Sequence, residues 1–207
     1  MDYRRTFRSA AVAYVDLASR VPADRWDSPA LGDWTLRDLA GHTVSSGLRQ
    51  VPGVLGTPAE EIAVGAAEGY WAFARRVPPS ILETFVAASA TDARETGREL
   101  GDDPGDLLRD LAGRATQALA AVGDDDLVTT PAGGMRVRDW LPTRTFELVV
   151  HGMDTAAAAG VPHGIAPEAI AEAAAQAARV AAALGDGETL LRALTGRGEL
   201  PPAFSVL

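Results

Sequence analysis

The chain has 207 residues, enough for one compact domain with a sizeable core, and 47% of them are apolar, which excludes a disordered chain. A formal net charge of −9 and a sequence pI near 4.8 exclude general nucleic-acid binding, which needs basic surface to neutralise phosphates. There is no cysteine, so disulfides, thiolate metal sites and a protein-borne thiol nucleophile are excluded too.

Alanine dominates the apolar fraction, which favours helix. Ala10, Ala11, Tyr14, Leu17 and Ala18 recur at helical spacing and predict a first helix over 3–20. Arg8 and Asp16 break it before a signal-type apolar core can form. Pro22, Pro29 and Gly32 mark a loop up to Trp34. Thr35 with Asp38 three residues later reads as a capping box opening a helix over 35–50, which Pro52, Gly53 and Gly56 end. Two helices are expected next, over 59–76 and 80–99, with "VPPS" between them. Leu108, Leu111, Ala115, Leu119 and Val122 lie on one side of a helix over 104–122, preceded by Pro104 and closed by Gly123. Residues 128–137 read as a loop with at most a short hairpin. A helix follows over 139–158, with Pro142 tolerable only in its first turn. Helical pieces over 167–185 and 187–196 complete the chain. The alanine-rich run at 171–185 carries Glu172 and Arg179 and is too short to span a bilayer, so a soluble cytoplasmic protein is expected.

The segment "FELVVHGMDT" (146–155) sets Glu147, His151 and Asp154 among apolar residues. With Arg144 they are spaced 3, 4 and 3 apart, so on a helix they share a sector of about 80°. Glu147 and His151, one turn apart, can direct a carboxylate oxygen and a ring nitrogen to one ion. Spacing alone equally describes a salt-bridged surface stripe or a satisfied core histidine. A third ligand has to come from elsewhere in the chain, which has only three histidines. His163 lies in the Pro/Gly-rich "GVPHGIAP" and reads as solvated, whereas His42 lies in "DLAGHTVSSG", where Gly41, Ser45, Ser46 and Gly47 permit close approach. His42 facing Glu147 and His151 would make a bundle-core site with three protein ligands and an open coordination position, which suits catalysis.

The blocks "LGDWTLRDLAGH" (31–42) and "MRVRDWLPTRTFELVVHGMDTAAAAG" (135–160) resemble the mycothiol-dependent maleylpyruvate isomerase N-terminal domain, within the DinB-like superfamily. The resemblance implies an all-α fold: a DinB-like up-and-down four-helix bundle with additional short helices over 1–160, and a C-terminal helical extension, 161–207, packed on it. It implies His42, Glu147 and His151 as ligands of Zn2+ or another divalent metal, with mycothiol as thiol cosubstrate. The implied activity is S-transfer to, or cis–trans isomerisation of, a small electrophilic organic substrate. Metal-water hydrolysis and a non-catalytic metal-binding scaffold stand as alternatives.

Arg144 is expected to orient a substrate carboxylate or to pair with Glu147 or Asp154. Asp154 is expected to fix His151 or to cap a neighbouring loop. Trp34 and Trp140 read as core anchors, and Arg197 as a surface arginine. The expected partners are a small-molecule substrate and a thiol, with no nucleic acid and no membrane, for a monomer or homodimer. Two features depart from the archetypal isomerase, which has a longer, separately folded C-terminal domain. Only residues 161–207 follow the metal helix here, and "PAEEIAVGAAEGYWAFARRVP" (58–78) is longer than the family pattern and points to a different substrate pocket.

Overall fold

The computed structural model describes residues 2–206. Helix α1 (Tyr3–Ala18) starts on the Asp2 carboxylate, which accepts from the Arg5 amide at 3.0 Å. A small antiparallel pair, β1 (Pro29–Leu31) and β2 (Trp34–Thr35), follows. It delivers Thr35 to the start of α2 (Leu36–Val44), where Thr35 and Asp38 form the capping box. The chain then continues through α4 (Ala67–Ala74), α5 (Pro79–Leu100) and α6 (Gly105–Ala120). An antiparallel hairpin, β3 (Leu127–Thr130) and β4 (Gly133–Arg136), leads into α7 (Val137–Ala159), with α8 (Pro167–Ala183) and α9 (Gly187–Leu194) last. No helix among the described residues is long and apolar enough to cross a membrane.

The core is all-α. α1 packs on α6 and α7, while α2 and its continuation pack on α7 and α6, so α1 and α2 occupy opposite corners of a four-helix arrangement. Phe7, Tyr14, Leu17, Leu39, Leu48, Leu108, Leu119, Trp140 and Leu148 fill the centre. α5 lies outside this bundle against α2. The two backbones approach through small residues: a Cβ added at Gly41 would stand 2.0 Å from the Ala93 carbonyl oxygen, and one at Gly97 would stand 2.6 Å from that of Arg37. α8 covers α7 and α4.

Three expectations are corrected. The helix begun at Leu36 does not stop before Pro52. It passes through a π turn (Ser45–Arg49), in which the Gln50 amide bonds to Ser45 five residues back, and resumes as α3 (Gln50–Leu55). Pro52 falls in the first turn of α3, where a missing amide is tolerated. The helix expected over 59–76 is only Ala67–Ala74. Residues before it are extended along the β3–β4 hairpin, with the Ala59 amide donating to Leu127 (3.0 Å) and the Ala63 amide to Gly134 (2.9 Å). Amides bonded sideways to a distant hairpin are not free for a helical ladder. Finally, α7 starts at Val137, so Pro142 stands in its second turn and removes the amide that would have served Arg138.

Candidate metal centre

α2 and α7 bring their polar residues together at one end of the bundle. His42 Nε2 lies 3.5 Å from Glu147 Oε2, and His151 Nε2 lies 3.3 Å from the same oxygen. One donor atom from each of the three residues falls within 4.8 Å of the others. The histidine rings meet edge to face at 5.1 Å. The remaining ring nitrogens are occupied: His42 Nδ1 is 3.3 Å from Ser89 Oγ on α5, and His151 Nδ1 is 3.1 Å from Asp154 Oδ2. Each ring therefore has its Nδ1 side fixed and its Nε2 side turned toward Glu147. Second-sphere bonds of this kind set the tautomer and orientation of metal-binding imidazoles.

This donor set fits a divalent ion. With zinc bonds of about 2.0–2.1 Å in a tetrahedron, neighbouring donors stand about 3.3 Å apart. The two distances to Glu147 match that edge. The chemistry agrees as well, since two neutral imidazoles and a carboxylate suit zinc and its first-row neighbours.

Without an ion, the cluster is an ion-paired network. Burial pushes the Glu147 carboxyl up, but hydrogen bonds from His151 and His42 and the nearby Arg144 charge outweigh it and hold the group well below the usual carboxylate range. Burial likewise pushes His151 down, but its bonds to Asp154 and Glu147 win and raise it to about 9. Ser46 adds a hydroxyl donor to Glu147 Oε2 at 3.2 Å.

Arg144, 1% exposed, is the most buried charge of this face. It pairs with neither Glu147 nor Asp154. Its Nε donates to Thr143 Oγ1 (2.9 Å) and its Nη1 to the Ser46 carbonyl (3.1 Å). The π turn makes the second bond available, because the Gln50 amide is directed to Ser45 and Ser46 accepts from Arg144 and from Gln50 Nε2 instead. The rings of Tyr70 and Trp140 lie 4.9 and 5.6 Å from the guanidinium carbon.

The cluster opens into a cavity of about 330 Å³ bounded by α4, the first half of α5 and the β3–β4 turn. Of the residues singled out from sequence, His42, Glu147 and Arg144 line this cavity, while His151 and Asp154 belong to the cluster without lining it. His163 does neither: its Nδ1 accepts from the Ile165 amide at 3.0 Å. Arg197 is exposed and donates to the Thr195 carbonyl. Trp140 is a core anchor, fully buried, while Trp34 is half-buried and its ring stands 5.1 Å from that of His42. Sequence reasoning missed Ser89, which no local pattern connects to a histidine 47 residues earlier. It pointed to residues 58–78 for a substrate pocket without singling out Tyr70, Trp71 and Phe73, and it gave no part to Phe85; all four line the cavity.

The molecule is an all-α bundle that closes one end with two histidines and a carboxylate on facing helices, a candidate metal site. A family profile described as the mycothiol maleylpyruvate isomerase N-terminal domain matches residues 7–156, which include every residue of the cluster. The chain belongs to that family. Comparison with curated proteins and with solved structures gives no match.

Proposed function

We propose that this chain is a metal-dependent enzyme that uses a low-molecular-weight thiol, mycothiol, for S-transfer to, or cis–trans isomerisation of, a small electrophilic substrate. The observation that carries the reading is the His42–Glu147–His151 cluster, with both Nδ1 atoms already held, opening onto a cavity of substrate size. Family membership supplies the thiol. His42, Glu147 and His151 would hold a zinc-class ion, which would supply the charge that keeps a thiol sulfur ionised near neutral pH.

The chain's own residues do the rest. Ser89 and Asp154 keep the imidazoles oriented, and the aromatic wall excludes water. Arg144 faces the electrophile and stabilises negative charge that develops on a conjugated carbonyl. In isomerisation the sulfur forms a bond to the β-carbon and the π pair moves to the carbonyl oxygen. The former double bond rotates, the pair returns, and the sulfur leaves unchanged. In S-transfer the adduct instead takes up at its α-carbon the proton the thiol gave up, and the sulfur stays. The absence of cysteine accords with this scheme, because the nucleophile arrives with the cosubstrate.

The test is a mass-spectrometric screen for thiol adducts and isomerised product with zinc, mycothiol and a panel of electrophiles, repeated without thiol and without metal. Turnover should need both. Full turnover without thiol would replace this reading with metal-water hydrolysis. A metal-loaded protein inert to the whole panel would favour a binding scaffold.

A further inference from the structure

We propose that the site's electrophile is a planar, apolar, α,β-unsaturated mono-acid, an alkenyl- or arylalkenyl-carboxylate, whose carboxylate docks on Arg144 Nη2 and whose body lies against Trp71 and Phe85. The proposal rests on the reading above for its reactivity, but its recognition elements are independent of the thiol. Arg144 is nine-tenths buried and more, it lines the cavity, and its Nη2 has no hydrogen-bond partner. A buried charged donor left unpaired is costly, and an incoming anion recovers that cost. The other two donor positions are already committed to Thr143 and Ser46, and the flanking Tyr70 and Trp140 rings fix the guanidinium plane. The fork is thus set before a ligand arrives.

The rest of the wall defines the body of the ligand. Tyr70, Trp71 and Phe73 come from α4, and Leu82 and Phe85 from α5. Trp71 is itself held by Tyr70 at 5.3 Å and Phe146 at 5.4 Å, so it presents a fixed face. Apart from the histidine of the cluster, Arg144 is the only basic residue lining this cavity among the described residues. A second carboxylate, such as maleylpyruvate carries, would find no second arginine or lysine here, only the neutral donors Ser46, Gln50 and Ser89 beside the aromatic wall and the Glu147 carboxylate, and would bear a desolvation cost. A volume of about 330 Å³ sits at the small end of ligand pockets and suits one ring or a short conjugated chain. Arg144 and Glu147 are one turn apart on α7, so an acid held at Arg144 presents the carbons next to its carboxylate to the metal-binding residues.

The experiment is titration calorimetry on the zinc-loaded protein, without thiol, using trans-cinnamate, its methyl ester and maleate. Cinnamate should bind at least tenfold more tightly than either. Arg144→Gln, with its metal content verified, should lose the preference of acid over ester, and Trp71→Ala should weaken cinnamate at least tenfold while retaining that preference. Equal binding of cinnamate and ester, maleate binding as tightly as cinnamate, or an acid preference that survives in Arg144→Gln would overturn the proposal. The ligand series on the unmodified protein decides the matter even where a variant does not fold. Because no thiol is present, a failed adduct screen alongside selective cinnamate binding would reject the thiol chemistry and leave this inference standing.

Discussion

His42 and His151 each have one ring nitrogen spoken for, and that asymmetry makes their replacement informative. His42→Ala and His151→Ala should each lose stoichiometric zinc by elemental analysis, while His163→Ala, whose ring caps a local turn instead, should retain it. Ser89→Ala and Asp154→Asn should keep the ligands but loosen their orientation, weakening zinc by about 10–100-fold in a chelator competition. Full zinc occupancy in both histidine variants would sink the ligand assignment. Protons give an independent check. His151 is raised to about 9 in the metal-free protein, above its ordinary 6.5, so near neutral pH the free site holds a proton that a metal must displace. The sign is fixed by that direction: the stability this imidazole contributes to the metal-free protein is complete below 6.5 and lost as pH rises through about 9. Zinc binding should therefore release about one proton near neutral pH in an indicator titration, and progressively less as pH passes His151's value. Release that stays constant across that range would contradict the coupling.

At the scale of elements, what could be read from sequence was what local chemistry determines. The Thr35/Asp38 capping box, the apolar stripe of α6 and the polar stripe of α7 each declare themselves within a few residues, and each is present. The π turn and the short α4 do not, because they depend on partners far along the chain. Ser46 meets Arg144 across 98 residues, and the strand-like stretch before α4 bonds to a hairpin about seventy residues on. The α2–α5 contact is of the same kind, and it makes a prediction. Gly41→Ala places a methyl carbon 2.0 Å from the Ala93 carbonyl oxygen, a backbone atom that can yield only if α5 shifts. Overpacking of this sort should lower stability by about 1–3 kcal/mol or more in urea unfolding, and zinc affinity should fall too, since α5 carries Ser89 to His42. Gly113→Ala is the control: it is helical, its added methyl meets nothing within 4 Å, and it should stabilise by about 0.5–1 kcal/mol. Equal effects of the two substitutions would remove the argument from close packing.

The molecule as a whole joins its fold to its site through one buried charge pattern. The four core helices were legible from periodicity and capping, and the His42–Glu147–His151 cluster from spacing together with two sequence blocks. The cavity was legible only as the part expected of residues 58–78 in a substrate pocket, because its other wall comes from α5, whose side chains carry no mark of the site in their own sequence. The candidate ligands sit on α2 and α7, two helices of the bundle itself, and an ion there would link them through bonds that the unfolded chain cannot make. Metal should accordingly stabilise the whole fold. Zinc present at about 100 times its dissociation constant adds about 2.7 kcal/mol, and for a domain of this size each kcal/mol raises Tm by about 2–4 °C. Chelation should therefore lower Tm by about 5–10 °C, and excess zinc should restore it. His151→Ala should respond to neither treatment, because its site can no longer close on an ion. Magnesium should not substitute, since it favours octahedral oxygen ligands over imidazole. If calorimetry shows the chelated and zinc-loaded proteins melting together, with zinc content confirmed in the second, the ion is held elsewhere, it does not bridge α2 and α7, and the cluster is an ion-paired network without metal.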